Sequence, residues 1–246
     1  MSDVKAALRT LRLFELFAAC KQPLVLSELA EQLEIPASSC LLLVRTLLQH
    51  GYLYGVSRRG GYYPTRKLLE HMKRVVDHDP VAQRVRPALA QLQADTGESI
   101  TLSKLQGLQL VYLAVVDSAH LMRPALSVGM SRPVHASASG KALLSLLDAE
   151  ARRALLREAG MARLTANTLS SRAALEAQLQ QGANQGWFES LGESEAELAA
   201  VSVPLRVGTE PYAITVLGTL LRMQDRRAHH ARRLQADPKS TRLNSS

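Results

Sequence analysis

The chain has 246 residues, of which 46% are hydrophobic, and its 30 Lys and Arg against 22 Asp and Glu give a formal net charge of +8. This length allows one or two domains with buried cores. The longest unbroken apolar run, Leu110–Val116, is too short to span a bilayer, and the N-terminus lacks the pattern of a signal peptide, so we expect a cytoplasmic protein without membrane contact.

The first 64 residues have the pattern of three short helices. Residues 5–20 carry an apolar stripe of helical period. Ser27 is a candidate N-cap for a second helix over 27–34. Pro36 suits the first position of a third helix, which Gly51 is expected to end.

A hairpin is expected to follow the third helix. The segments YLY and YYP flank a glycine-bearing turn, which predicts two short strands. Arg58 and Arg59 lie at the tip of this turn, where they could contact DNA phosphates or a minor groove. Helices followed by such a hairpin are typical of a winged helix-turn-helix, although a helical interaction domain with a solvated basic loop has the same pattern.

The third helix has a core face and an opposite face that could lie in a DNA major groove. At 100° per residue, Cys40, Val44 and Leu47 form part of the core stripe. Hydroxyls can meet base edges or phosphates, and arginine can pair with guanine. The candidate DNA-contacting residues of this helix are Ser38, Ser39, Leu42, Arg45 and Gln49. Leu42 could touch a thymine methyl group, or it could indicate a face that meets protein.

The remaining chain predicts a connector helix over 65–79, a second domain over 80–223 and a tail over 224–246. Helical patterns and strand patterns mix in the second domain, which predicts an α+β fold with an antiparallel sheet. One of the expected strands is PALSV, residues 124–128. The tail has no apolar periodicity, so we expect it to be disordered or non-native.

The segment HASASGK, residues 135–141, is the candidate ligand contact. Its small residues precede an apolar helical run, so exposed backbone N–H groups near Ala138 and Ser139 could receive a carboxylate. Lys141 could add positive charge. Alternatively, the small residues only allow close packing. Glu193, Glu195 and Glu197, by contrast, are alternately spaced acids on a loop or strand and are expected to be solvated rather than metal-binding.

Several blocks resemble the IclR family of bacterial transcriptional regulators in the family's order. LSELAEQLEIPASSCLLLVRTLLQHGYL followed by RRGGYYPT resembles its DNA-binding half. TGESITLSKLQGLQLVYLAVVDS, SVGMSRPVHASASGKALLSLL, LTANT and NQGWFESLGES resemble its effector-binding half. The resemblance covers about residues 4–222.

This resemblance implies a dimer or tetramer that binds double-stranded operator DNA through paired winged helices. The second domain would be GAF-like and would enclose a small-molecule effector. The family commonly has arginine where Leu42 stands, so Arg45 and the hairpin would carry more of the DNA contact. By similarity, the effector-binding positions are Ala138, Ser139, Ser190, Ala200, Thr215 and Leu217. Because Ala200 and Leu217 are apolar, a larger or aromatic acid is expected rather than glyoxylate.

Enzymatic and adaptor functions remain as alternatives. Residues 80–223 contain no cysteine, only two histidines, and no Gly-x-Ser-x-Gly motif, so a nucleophile with an oriented base is not expected. No metal site or cofactor is expected either. Leu42 in the middle of the supposed DNA-reading face and the modest N-terminal charge would suit an adaptor that binds protein instead of DNA.

Overall fold

The computed structural model describes residues 4–57 and 60–236, and the chain divides into two compact units between His78 and Asp79. The candidate DNA contacts Arg58 and Arg59, and residues 237–246, lie outside the described residues.

The first unit consists of three helices, a hairpin and a fourth helix. Its elements are α1 (Lys5–Cys20), α2 (Leu26–Gln32), α3 (Ala37–Gln49), β1 (Leu53–Gly55), β2 (Tyr62–Pro64) and α4 (Lys67–Asp77). The expected core face of α3 is buried and packs with residues of α1 and α2, such as Leu13 and Leu29. The N-cap prediction for α2 is wrong: Val25 takes that place, because the Glu28 carboxylate accepts its N–H at 2.8 Å.

The hairpin is pinned to the helical core. β1 and β2 pair antiparallel, and Tyr62 also bridges to Leu24. Gly61 has a φ of +79°, a left-handed conformation that favours glycine. A Cβ at Gly61 would also lie only 2.5 Å from the carbonyl oxygen of Leu24. Glycine is therefore required where the second strand enters this bridge.

The second unit is a six-stranded antiparallel sheet with helices. Its elements are α5 (Pro80–Thr96), β3 (Ser99–Gln106), β4 (Gln109–Val116), β5 (Ser131–Pro133), α6 (Ala138–Leu144), α7 (Ala149–Ala159), α8 (Arg172–Gln185), β6 (Phe188–Leu191), β7 (Leu198–Val207), β8 (Glu210–Thr219), α9 (Leu220–Met223) and α10 (Arg227–Ala236). The strand order is β5-β4-β3-β8-β7-β6. The expected strand at PALSV is absent: residues 124–128 form no strand, and the edge strand β5 starts at Ser131.

The two largest apolar clusters of the second unit lie on opposite faces of the sheet. Ile214 and Val216 of β8 pack in a cluster with α5 and α10, whereas the preceding residue, Ala213, packs in a cluster with α6, α7 and α8. This alternation follows from the period of two in a strand, which turns successive side chains to opposite faces. The predicted α+β fold class, a helix-turn-helix with an antiparallel-sheet domain, is confirmed.

The C-terminal segment corrects the sequence prediction. The expected disorder of 224–246 is wrong for its first half, because α10 forms over Arg227–Ala236. Ala231 and Leu234 are buried in the same cluster as α5. Their spacing of three places both on one side of a helix, but the stripe is too narrow to stand out among charged residues. Among the described residues, no helix is long and apolar enough to span a membrane.

Candidate functional site

The outer face of α3 is open to solvent. Ser38, Leu42, Arg45 and Gln49 are exposed, and Ser39 is half-buried. Leu42 is 68% exposed, which is high for a large apolar side chain on a helix that packs its other face into a core. The structure thus places the predicted α3 residues together on one accessible surface and keeps its apolar stripe inside.

A cleft in the second unit contains most of the predicted effector residues. Ala138, Ser139, Ser190, Ala200 and Leu217 line it, together with Tyr112, Arg132, Ser137, Ser194, Leu198 and Ala199. Its empty space, counted together with the open solvent at its mouth, is about 380 Å³. Ala138, Ala200 and Leu217 form an apolar cluster with Leu126 and Leu198 beside it. The cleft therefore has an apolar wall and a set of hydroxyl groups.

Thr215 differs from the other predicted residues. It is buried and does not line the cleft. Its hydroxyl lies 2.7 Å from that of Ser139 and donates to the hydroxyl of Ser202 at 2.9 Å. Thr215 thus fixes the orientation of Ser139 from behind, because a buried hydroxyl must keep a hydrogen-bond partner.

The start of α6 contributes Ser137, Ala138 and Ser139 to the cleft lining. Ser137 is the N-cap and accepts the Gly140 N–H at 3.2 Å, and its backbone carbonyl accepts the Lys141 N–H. The Ser190 hydroxyl donates to the Ala136 carbonyl at 2.9 Å, which ties β6 to the segment before the helix. The small residues therefore serve close packing as well as lining the cleft, and the two interpretations of HASASGK are compatible.

Lys141 does not face the cleft, which corrects the expectation that it adds charge there. Its side chain is 0% exposed, and its ammonium donates to the Glu193 carboxylate and to the Glu189 carbonyl. Glu193 is only 5% exposed, so its expected solvation is wrong as well. Burial lowers the pKa of Lys141 and raises that of Glu193, while their mutual attraction opposes both shifts.

The cationic group at the cleft is Arg132, which sequence reasoning missed. Its guanidinium lies 2.7 Å from the Glu195 carboxylate. Burial raises the pKa of the nearby Tyr112 phenol, and the charge of Arg132 partly offsets that rise. The available signal was the position of Arg132 within the block GMSRPVHASASGK, three residues before His135. Only the pairing of β5 with β4, which sets Arg132 opposite Leu110, brings it near Tyr112.

Both units match family models. The model described as "Bacterial transcriptional regulator IclR C-terminal" matches residues 73–238, and the model described as "IclR helix-turn-helix domain" matches residues 6–57. The first match extends through α10, in agreement with the packing of that helix on the second unit.

Similar proteins carry related names. The chain is 29% identical over 205 residues to the HTH-type transcriptional regulator XynR of Escherichia coli, covering 83% of this chain and 81% of that protein. It is 29% identical over 231 residues to the acetate operon repressor of Salmonella typhimurium, covering 92% and 84%.

Solved structures have the same fold. A transcriptional regulator from Rhodococcus sp. RHA1 superposes with a TM-score of 0.77 at 23% identity, covering 98% of this chain and 97% of that one. An IclR homolog from Microbacterium hydrocarbonoxydans complexed with 4-hydroxybenzoate superposes with a TM-score of 0.76 at 21% identity, covering 98% of both chains.

Proposed function

Since this chain belongs to the IclR family of bacterial transcriptional regulators, we propose that it binds operator DNA through α3 and changes that binding when an organic acid occupies the cleft. The protein is a DNA-binding transcriptional regulator with an effector-binding C-terminal domain. The observation that carries the DNA part is the solvent-exposed face of α3 with Arg45 and Gln49 on it.

Operator binding is tested by fluorescence anisotropy with DNA from beside the protein's own gene. Operator affinity should fall steeply between about 50 and about 200 mM salt. The Lys and Arg side chains of the bound protein release counterions from the DNA, and this release is less favourable at high salt. Arg45→Ala should cost about 1–3 kcal/mol on the preferred sequence and less on random DNA. Arg58→Ala with Arg59→Ala should weaken binding to every sequence alike. Arg157→Ala, an exposed arginine of α7, is the control.

A protein-binding adaptor is the competing function, and the exposed Leu42 favours it. The DNA-binding function and the adaptor function are distinguished by the same anisotropy titration with operator DNA. If the protein ignores promoter fragments at low salt, or if Arg45→Ala leaves affinity and sequence preference unchanged, α3 does not contact bases and the adaptor function is preferred.

The proposed effector is an acid with an apolar body the size of an aromatic ring. Arg132 supplies a positive charge, and Ala200 and Leu217 supply an apolar wall. The complex of a related fold with 4-hydroxybenzoate supports this class. Isothermal titration should show tighter binding of 4-hydroxybenzoate than of glyoxylate, because only the ring covers the wall. Tight glyoxylate binding without aromatic-acid binding would contradict the proposal.

Binding without chemical conversion is the proposed role of the cleft. Three of its serine hydroxyls are engaged by groups that are poor bases: Ser137 and Ser190 donate to backbone carbonyls, and Ser139 contacts Thr215. A nucleophilic serine needs an adjacent base. The effector acts by binding one arrangement of the protein more tightly than another. The operator affinity can then change by at most the ratio of the effector's affinities for these two arrangements. Unchanged ligand after prolonged incubation, measured by chromatography, is the expected result.

We also propose that the protein self-associates through an apolar face of α4. Leu69, Met72 and Val76 of α4 follow helical spacing and are about half exposed, as expected for a face that pairs with a second copy. Light scattering should give a dimer or tetramer, and Met72→Lys should lower the molar mass. A wild-type monomer at micromolar concentration would contradict this.

We also infer a cytoplasmic location, where operator DNA is accessible.

A further inference from the structure

The positive charge of Arg132 is already occupied by a carboxylate of the same chain. The Arg132 guanidinium and the Glu195 carboxylate are 2.7 Å apart, and their side chains are 22% and 48% exposed. Among the described residues that line the cleft, Arg132 is the one with a permanent positive charge. An acidic ligand that enters the cleft therefore meets a cation that has a partner.

The backbone that carries Glu195 is held firmly. In the connection between β6 and β7, the Gly192 N–H donates to the Leu198 carbonyl at 2.7 Å, and the Leu198 N–H donates to the Glu195 carbonyl at 3.1 Å. Glu193, two residues earlier, is anchored by the buried Lys141. These hydrogen bonds fix the backbone from which the Glu195 side chain reaches Arg132.

The ion pair between Arg132 and Glu195 is nevertheless easily exchanged for another partner. Ion pairs that remain in contact with water contribute little to stability, since each partner can be solvated instead. A ligand carboxylate in the cleft would meet Arg132 in a less solvated place and would have the Tyr112 phenol and the Ser194 hydroxyl nearby as further donors. Two carboxylates at one guanidinium repel each other, so the ligand and Glu195 compete for it.

We propose that Glu195 is a built-in competitor for the effector carboxylate, and that effector binding exchanges the partner of Arg132 from Glu195 to the ligand. This inference rests on the proposed acid effector and adds how the site is regulated. The exchange releases the Glu195 side chain to solvent. It also makes the site selective for charge, because a neutral analogue cannot replace a carboxylate at Arg132 and leaves the internal pair closed.

The test compares 4-hydroxybenzoate with the neutral 4-hydroxybenzamide by isothermal titration of the full chain. Glu195→Gln should bind 4-hydroxybenzoate roughly threefold to fivefold more tightly than wild type, because the competitor is gone. Arg132→Gln should bind it at least about tenfold more weakly. In the double variant, removing Glu195 should bring no gain. Affinity for the amide should change in neither single variant.

The matched control is Glu210→Gln, which removes an exposed carboxylate that pairs with Lys104 away from the cleft. It should leave both affinities unchanged. Since the Glu195 side chain is half exposed, Glu195→Gln is expected to fold normally, so the test stands even if Arg132→Gln does not fold.

The outcomes separate this inference from the proposed function. Acid binding that is equal in wild type and Glu195→Gln, or a gain of the same size for the amide, overturns the exchange and leaves the acid effector intact. A lack of acid binding in wild type and Glu195→Gln alike overturns the acid effector and the exchange together.

Discussion

Replacement of Lys141 by methionine should destabilise the second unit strongly. Lys141 is fully buried, and its ammonium is the partner of the nearly buried Glu193 carboxylate and of the Glu189 carbonyl. Methionine fills a similar volume without a charge, so the perturbation removes the ammonium and leaves the packing largely in place. What remains is a buried carboxylate without its counter-ion.

The expected cost is about 3–5 kcal/mol at pH 8, the range for removal of one partner from a buried ion pair. It should be smaller at pH 5. Burial raises the pKa of Glu193, so acidification lets the folded state take up a proton before the unfolded chain does, which removes the uncompensated charge. The double variant Lys141→Met with Glu193→Leu should return to within about 1 kcal/mol of wild type, because an apolar pair needs no desolvation of charge.

The assay is urea unfolding followed by tryptophan fluorescence. The chain has one tryptophan, Trp187, which packs against the core cluster of the second unit, so the signal reports on that unit alone. A loss below about 1 kcal/mol for Lys141→Met would refute the reasoning. So would a double variant that is no more stable than the single one.

Three further substitutions test the fold. His230→Leu should reduce the loss of stability on acidification. Burial lowers the pKa of His230 below 6.5, so the unfolded chain takes up a proton first and the free energy of unfolding falls as the pH drops past that value. An unchanged pH dependence of the free energy of unfolding, from urea titrations at several pH values, would contradict this. Leu234→Ala should cost about 2–5 kcal/mol by the same Trp187 signal, whereas no change would mean that α10 does not pack on the core. Gly61→Ala should lower the thermal stability of the first unit and its operator affinity, since the Cβ meets the Leu24 carbonyl; an unchanged melting curve by circular dichroism would exclude that clash.

The helices and strands with a strong period could be predicted from the sequence. α1 spans Lys5–Cys20 and α5 spans Pro80–Thr96, as the apolar stripes and flanking signals indicate. The exposure of Arg45 and Gln49 also follows from the helical period, because the same turns that bury Val44 and Leu47 rotate the other side outward. Local sequence is sufficient where a pattern repeats over several turns.

The candidate cleft could be predicted only in part. Ala138 and Ser139 stood out because small residues precede a helix, and Ala200 and Leu217 came from the resemblance alone. Arg132 was missed, and Thr215 was placed in the lining although it lies behind Ser139. Neither position can be inferred locally, because each depends on which strands are neighbours in the sheet.

The sequence by itself determined the α+β class, the amphipathic α3 and the order of the two halves, since these follow from periodicity and turn residues along the chain. The tertiary structure alone decided that Lys141 meets Glu193 and that Arg132 meets Glu195. The partners are separated by more than fifty positions in the sequence. Charge is visible in a sequence, but whether it is solvated or paired depends on the surface that folding brings against it.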